Sequence, residues 1–254
     1  GFDYSTMNWA KLTNRGYELS LSTVNVKTKD FRWVMDFNLA HNKSKINRLN
    51  VRDNSYEPSR EGYSVGAVFS LKTAGLDENG LQMFYNKQGE KVSFNDFFGL
   101  EYGYMMGGLI PFLKSNLSAE EYRNLFTYEG TTEPKFTGGW INRFYYKNFD
   151  LTVSASFVLD QTVQEQPFYN PVQTSPGQNY SRRMSQIWSP DNTSGKYPRI
   201  MGTYTEGEEN WAYQWLGMLD PGNSYRKYDY WFKKMSYMRI NSIRLGYTFP
   251  ERLL

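Results

Sequence analysis

The chain has 254 residues with 29 basic and 26 acidic side chains, a formal net charge of +3, and no cysteine. The charges are interspersed without a basic block, which argues against a nucleic-acid partner. The missing thiols exclude disulfides, thiolate metal sites and cysteine nucleophiles. Aromatic residues make up 18% of the chain, although only 39% is hydrophobic and the mean hydropathy is −0.68. This excess of rings over aliphatic side chains indicates aromatic surfaces, as in carbohydrate-binding clefts or the girdles of membrane barrels.

No stretch approaches the roughly 18 consecutive apolar residues of a membrane helix, so any membrane crossing would use strands. The first residues, Gly1 to Tyr4, have neither the basic start nor the apolar run of a signal peptide. We therefore expect the sequence to begin partway through a longer protein.

Alternation of apolar and polar residues predicts several strands of about the 9 to 11 residues that cross a bilayer when tilted. The opposite faces are polar, as Arg32 and Asp36, Asp150 and Ser154, and Arg244 illustrate. A change of parity within residues 17–27 predicts a β-bulge. The apolar faces are, in chain order, Tyr17, Leu19, Leu21, Val24 and Val26; Phe31, Trp33, Met35, Phe37, Leu39 and His41; Phe136, Trp140, Phe144 and Tyr146; Phe149, Leu151, Val153, Ala155, Phe157 and Leu159; and Ile243, Leu245, Tyr247 and Phe249.

Two architectures fit this pattern: a soluble β-sandwich and a transmembrane antiparallel β-barrel with long extracellular loops. The apolar faces are longer than those of a usual soluble strand and end in aromatic residues, which favours the barrel. The spacing is also lopsided. Residues 27–30 and 146–148 form tight turns, whereas about 90 and about 75 residues separate the other strands, as in outer-membrane barrels.

This asymmetry predicts an orientation in which the tight turns are periplasmic and residues 160–235 are extracellular. Between residues 43 and 135 we expect no further crossing. Segments 63–71 and 81–94 would form a hairpin inside the extracellular loop. Ser118 and Glu121 form a capping-box pattern that predicts a short surface helix.

Five strands cannot close a barrel, because an open sheet edge in lipid leaves backbone groups unsatisfied. We therefore interpret residues 1–254 as a partial C-terminal β-barrel region that lacks a plug domain and the final strands. Its lipid-facing residues would include Trp33, Phe37, Leu151, Val153, Phe157, Leu245 and Tyr247.

Catalytic chemistry has little support in the sequence. His41 lies at the end of an apolar face without a partner motif, and Glu206, Glu208 and Glu209 are better explained as a solvated face than as paired catalytic carboxylates. Patterns of common hydrolases, metalloproteases and nucleotide-binding loops are absent. We expect no enzyme activity, no metal and no cofactor.

The long segment 160–235 is rich in aromatic residues. Its rings would stack on a sugar, pack against a protein lid, or pack the loop on itself. The candidate substrate-binding residues are Trp188, Trp211, Tyr213, Trp215 and Trp231.

Five stretches spread from residue 14 to residue 250 resemble, in family order, the SusC-like TonB-dependent outer-membrane transporters. They are Asn14-Arg15-Gly16-Tyr17-Glu18-Leu19 with Phe31-Arg32-Trp33 and Asn38 to Ile46; Glu61 to Ala67; Pro134 to Gly139 with Tyr146 to Leu151; Tyr197-Pro198-Arg199; and Ser236 to Ile240 with Ser242 to Pro250.

This resemblance implies part of a 22-stranded barrel with an N-terminal plug in the Gram-negative outer membrane. It also implies import of glycans or peptides, energised by TonB–ExbB–ExbD through the plug and assisted by a SusD-like surface lipoprotein. A non-transport, β-rich carbohydrate-binding or adhesin module is the alternative function.

Overall fold

The computed structural model describes residues 10–50, 55–105, 110–175, 177–201 and 207–250. Its strands, in chain order, are β1 Ala10–Lys27, β2 Phe31–Leu49, β3 Ala67–Ser70, β4 Thr73–Leu76, β5 Gln82–Tyr85, β6 Lys91–Val92, β7 Leu100–Met105, β8 Ile110–Ser115, β9 Thr127–Thr131, β10 Phe136–Tyr146, β11 Phe149–Gln164 and β12 Phe232–Tyr247. Its α-helices are α1 Phe94–Phe98, α2 Ala119–Arg123 and α3 Gly207–Gln214, and shorter helical turns span Arg182–Gln186, Trp215–Leu219, Ser224–Lys227 and Asp229–Trp231. Within these ranges, no helix is long and apolar enough to cross a membrane.

Five long strands form one antiparallel sheet in the order β1-β2-β10-β11-β12. All five predicted strands lie in this sheet. The predicted apolar face that runs from Phe136 to Tyr146 matches both ends of β10. β2 pairs directly with β10, and no described residue between these two strands adds a strand to the sheet, which agrees with the expectation of no further crossing between residues 43 and 135. The fold is all-β, as predicted.

Four of the strands are longer than alternation predicts. β1 begins at Ala10 and β12 at Phe232, while β2 continues to Leu49 and β11 to Gln164. The added part of β2 starts with Asn42-Lys43-Ser44-Lys45, which is polar on both faces. A polar extension carries no apolar alternation, so the hydrophobic pattern marks only the part of each strand that borders the apolar face.

The predicted bulge is present in β1, but it follows Val24, so the predicted placement of Val24 on the apolar face is wrong. The register between β1 and β2 shifts between Val24 and Val26, with Asn25 as the extra residue. Val24 pairs with Val34 on the polar face, whereas Val26 pairs with Trp33 on the apolar face. The extra residue shifts the alternation of β1 by one position, so that Val26, two residues after Val24, lies on the opposite face of the sheet.

The two ends of the sheet differ. At one end, the turns after β1 and β10 lie side by side, and Lys147 N donates to Asp30 O at 3.0 Å. The end of β12 joins them through Thr248 N, which donates to Asn148 O at 2.8 Å. Both long connections leave from the opposite end.

The two long connections fold together into one unit, here called the cap, formed by the described residues within 55–131 and 165–231. Phe84 packs edge-on against Tyr228 with ring centroids 5.2 Å apart, and Tyr122 OH donates to Asp220 Oδ1 at 2.9 Å. Burial, with Asp220 beside the ring, raises the pKa of Tyr122 far above its ordinary value. The buried cluster comprises Leu71, Leu81, Phe84, Phe94, Phe97, Phe98, Leu100, Leu113, Tyr122, Tyr169, Ile187, Met201, Ala212, Trp215, Tyr225, Tyr228, Trp231 and Phe232.

The predicted capping box is confirmed at α2. Ser118 Oγ accepts from Glu121 N, and Glu121 Oε2 accepts from Ser118 N at 2.8 Å. This start directs Tyr122 into the core, where it is 1% exposed.

The predicted hairpin between 63–71 and 81–94 is wrong in its pairing. β3 pairs with β9, whereas β5, within residues 81–94, pairs with β4 directly before it and with β6 directly after it. The physical reason is local: Gly80 adopts a positive φ of 78° that closes a tight turn between β4 and β5. Ser70 Oγ then donates to Glu129 Oε2 at 2.6 Å and helps to hold β3 on β9.

Candidate transport surface

The apolar face is continuous across the five strands. Trp33 pairs with Phe144, Phe144 with Leu151, and Leu151 with Leu245, and the Trp33 and Phe144 rings stack at 5.7 Å. Paired residues in a sheet point to the same side. The seven predicted lipid-facing residues therefore share one face: Trp33, Phe37, Leu151, Val153, Phe157, Leu245 and Tyr247.

Among the described residues, no second layer covers the part of this face that lies near the short turns on β12. Leu245 is 70% exposed and Ile243 is 66% exposed. A soluble sandwich would bury such a face under a second sheet. That the face contacts lipid stays a prediction.

One polar side chain on the apolar face is satisfied internally. Asn142 pairs with Met35 and Val153 on that face, and its Oδ1 accepts from Trp33 Nε1 at 3.0 Å. An amide carbonyl with a donor of its own is much cheaper to place against hydrocarbon than a free one. Sequence alternation gives no sign of this bond, because its partners are 109 residues apart.

Aromatic rows flank the apolar band at both ends. At the short-turn end, Phe149 and Tyr247 lie 4.6 Å apart and Phe31 pairs with Tyr146. At the cap end, the His41 ring lies between Tyr17 and Phe136, at 5.0 and 5.1 Å. The ten steps from residue 31 to residue 41 span about 33 Å along the strand. A tilt of about 40° would reduce this to about 25 Å, the height of the apolar band of an outer-membrane barrel.

The opposite face is polar and cross-linked. Asp36 accepts from Ser22 Oγ at 2.7 Å and forms an ion pair with Arg143. Ser154 and Ser242 share a hydrogen bond of 2.8 Å. These contacts involve all five strands, since they link β1, β2 and β10 with one another and, separately, β11 with β12. They line a groove of about 460 Å³ that includes Ser20, Ser22, Asp36, Asn38, Gly139, Ser154, Ser156 and Asn241.

The structure places the predicted substrate-binding residues in different environments. Trp231 is 0% exposed, its Nε1 donates to Tyr225 O at 3.0 Å, and Trp215 is 3% exposed. Trp188 is buried beside Gly80. Trp211 and Tyr213 are half-buried. For Trp215 and Trp231, packing of the loop on itself is the better explanation, and substrate contact by any of the five stays a prediction.

Arg183 joins the cap to the sheet, a role that no sequence motif indicates. Its guanidinium lies 4.5 Å from the Phe168 ring centroid and donates to Tyr197 OH at 2.7 Å. It also donates to Glu165 Oε1 at 2.6 Å, and the other oxygen of Glu165 accepts from Lys233 of β12. The hydrogen bond from Lys233, assisted by Arg183, lowers the pKa of Glu165.

The residues weighed as catalytic groups have structural partners. His41 Nδ1 lies 2.5 Å from Lys135 O. Glu209 pairs with Arg199 rather than facing solvent alone, Glu208 is exposed, and Glu206 lies outside the described residues. In the part of the chain that the structure describes, no group of three or more His, Cys, Asp or Glu residues could hold a metal ion.

A sheet of long antiparallel strands with one aromatic-bounded apolar face, one polar face and all its long connections at one end is typical of the wall of an outer-membrane β-barrel. Comparison with known proteins agrees. No protein-family model matches the chain. Over its full length, the chain is 26% identical to TonB-dependent receptor P3 and 23% identical to TonB-dependent receptor P39, both of Formosa agariphila.

The solved structure of the RagAB peptide transporter superposes with a TM-score of 0.63 at 18% identity, over 97% of this chain and 24% of that one. The RagAB peptide importer in its "closed-closed" state gives the same values. The chain spans about a quarter of the length of these relatives, 23% of P3 and 26% of P39. These matches confirm the predicted resemblance to SusC-like TonB-dependent transporters. They also confirm the predicted localisation in the Gram-negative outer membrane.

Proposed function

We propose that this chain forms part of the barrel wall and the extracellular cap of a SusC-like, TonB-dependent importer of glycans or other large nutrients such as peptides. The two-faced sheet is the observation that carries the proposal: an apolar face bounded by aromatic rows lies opposite a hydrogen-bonded polar face. The polar groove lined by Asp36, Asn38 and Ser154 would then face the lumen.

The chain's place in the whole protein is part of the proposal. Residues 1–254 would belong to the C-terminal part of a 22-stranded barrel, with the plug and the final strands outside this sequence. Because the two curated relatives and the two solved structures described above are each matched over about a quarter of their length, this chain would form one segment of the barrel.

Two partners follow from this assignment. A SusD-like lipoprotein would dock on the cap, whose outer aromatic residues include the half-buried Trp211 and Tyr213. TonB–ExbB–ExbD would act through the plug. The RagAB structure described as a peptide transporter favours peptides as one cargo class, and the half-buried ring of Trp211 would be available to stack on a glycan.

The alternative function, a soluble carbohydrate-binding or adhesin module, has less support. A soluble module would leave a band of side chains such as Ile243 and Leu245 in water, where both are more than 60% exposed. Apolar patches of this extent on a soluble protein mark an interface or an aggregation site.

Neighbouring arginine substitutions test the two faces. Val153 lies on the apolar face opposite Ile243, and Ser154 lies on the polar face opposite Ser242. In the full-length transporter, Val153→Arg should cost about 2 to 4 kcal/mol because its charge must be placed in hydrocarbon. Ser154→Arg should cost about 1 kcal/mol, for the lost hydrogen bond to Ser242.

The measurement is the yield of heat-resistant folded barrel on unboiled gels of outer membranes. We expect a large loss for Val153→Arg and near-normal folding for Ser154→Arg, which could still alter uptake. Equal tolerance of both arginines would mean that β11 does not separate lipid from lumen, and the importer proposal would lose its main support.

A further inference from the structure

A lysine-rich cleft lies at the cap end of the apolar face. It has a volume of about 800 Å³ and lies between the outer part of β2, β9 and the facing residues of β11 and β12. Four exposed lysines line it: Lys43, Lys45, Lys135 and Lys234. It is distinct from the polar groove on the opposite face of the sheet.

Two of the three carboxylates that line the cleft have hydrogen-bond or ion-pair partners other than the four lysines. Glu129 accepts from Ser70 Oγ at 2.6 Å and forms an ion pair with Lys72. Both oxygens of Glu133 accept from Ser44 Oγ, at 2.9 and 2.7 Å. Asp160 is the third carboxylate in the lining. Among the described residues, no ion pair joins any of the four lysines to a carboxylate.

The cleft begins where the apolar band ends. His41 sits in the aromatic row between Tyr17 and Phe136 and also lines the cleft. Lys43 follows two residues later on the same face of β2, about 7 Å farther from the band, and pairs with the exposed Arg15 of β1. Aromatic rings in a barrel mark the level of the lipid headgroups. The ammonium groups therefore lie at, or just beyond, the headgroups of the leaflet on the cap side.

From this arrangement we infer that the cleft binds the phosphate of an anionic lipid of the outer leaflet, whose acyl chains lie along the adjacent apolar face. The inference rests on the proposed placement of that face against lipid. An ammonium donates up to three hydrogen bonds to phosphate oxygens, and several lysines at a membrane surface attract anionic headgroups cooperatively through charge. The neighbouring aromatic row would hold the upper part of the acyl chains.

The test uses the full-length transporter in nanodiscs of phosphatidylcholine, with diphosphoryl lipid A as the added probe. The variant Lys43→Gln/Lys45→Gln/Lys135→Gln removes three charges from the cleft. The control Lys91→Gln/Lys114→Gln/Lys196→Gln removes three charges from exposed cap residues outside it. Native mass spectrometry counts the lipid A molecules that each protein retains.

We expect the cleft variant to bind lipid A at least about tenfold more weakly than the wild type, and the control to bind normally. Lipid A without its phosphates should bind no better to the wild type than to the cleft variant. Inorganic phosphate at millimolar concentration should not displace lipid A. Equal binding by the wild type and the cleft variant, or full displacement by inorganic phosphate, would overturn the inference.

Membrane insertion separates this failure from a failure of the proposed function. If the wild type inserts as a heat-resistant barrel and the three lysines do not affect lipid A binding, only the lipid site is wrong. If the wild type is recovered outside membranes, the barrel proposal and the lipid site both fall.

Discussion

Arg183 stabilises the cap through several contacts at once. Its guanidinium lies within 6 Å of the Phe168, Tyr197 and Trp231 rings, and it bridges to Glu165 at the end of β11. Lysine could replace the charge but not the planar stacking and the forked hydrogen bonds. This residue therefore links the packing of the aromatic core to the strand ends beneath it.

Arg183→Ala should destabilise the cap by about 2 kcal/mol, from lost cation–π contact and lost charged hydrogen bonds. The barrel itself should remain heat-resistant, because Arg183 does not contact the five-stranded sheet except through Glu165. Limited proteolysis of detergent-solubilised transporter would measure faster cleavage within residues 165–231. The exposed neighbour Arg182 supplies the control, and equal cleavage of the Arg182→Ala and Arg183→Ala variants would contradict the assignment.

Glu165 makes cap stability depend on pH. Lys233 and Arg183 hold its pKa below the ordinary value, so the folded state binds the proton more weakly than the unfolded chain does. The stabilisation is complete above the unfolded pKa of about 4.3. It is lost as the pH falls through the folded value.

The thermal midpoint of cap cleavage, followed from pH 7 to pH 3, should therefore fall less steeply in Glu165→Gln than in the wild type. The exposed Glu208→Gln variant should follow the wild type. A Glu165→Gln curve parallel to the wild-type curve would show that this carboxylate does not supply the acid sensitivity.

In β10, Gly138 allows a close approach of both neighbouring strands. The position that a Cβ would take at Gly138 lies 2.3 Å from Asn38 O and 2.6 Å from Phe157 Cζ. The Phe157 ring thus covers the glycine of the neighbouring strand, with which it pairs. A side chain at Gly138 would displace both the ring and the backbone of β2.

Gly138→Val should lower the yield of heat-resistant barrel by severalfold, because overpacking of this kind costs about 1 to 3 kcal/mol. Thr137→Val, at the exposed neighbouring position, should fold normally. If both valine variants assemble equally well, the contact between Phe157 and Gly138 is not important for assembly.

The elements differ in how far the sequence predicts them. β10 and the bulge in β1 are predicted from alternation, because the hydrophobicity of each residue indicates which side of the sheet it faces. The pairing of β3 with β9 does not, since the two strands are short and 56 residues lie between Ser70 and Thr127. The same limit applies to the site: alternation places Trp33 and Leu245 on one face, but Trp215 packs against Phe98 from the other long connection, a contact that no local pattern indicates.

At the scale of the whole molecule, the two ends of the sheet define an orientation. The tight turns lie together at one end, and the cap occupies the other. In outer-membrane barrels, short turns are periplasmic and long loops are extracellular. The cap should therefore face the outside of the cell.

Cysteine labelling tests this orientation in the full-length transporter, since the chain contains no native cysteine in these 254 residues. Ser194→Cys, at an exposed cap position, should react in intact cells with a membrane-impermeant maleimide. Lys29→Cys, in the tight turn after β1, should react only after the cells are opened. Labelling of Lys29→Cys alone in intact cells would reverse the orientation.

The shared core of the cap also sets an order of events during synthesis. Phe84, Phe98 and Tyr122 emerge from the ribosome long before their partners Tyr228, Trp215 and Asp220. The β10–β11 hairpin lies between the two halves and needs only a two-residue turn, so it can form while the first half of the cap still lacks its core. Until the second connection arrives, that first half is an aromatic-rich segment without cover, and it is exposed to the chaperones that escort the chain toward the membrane.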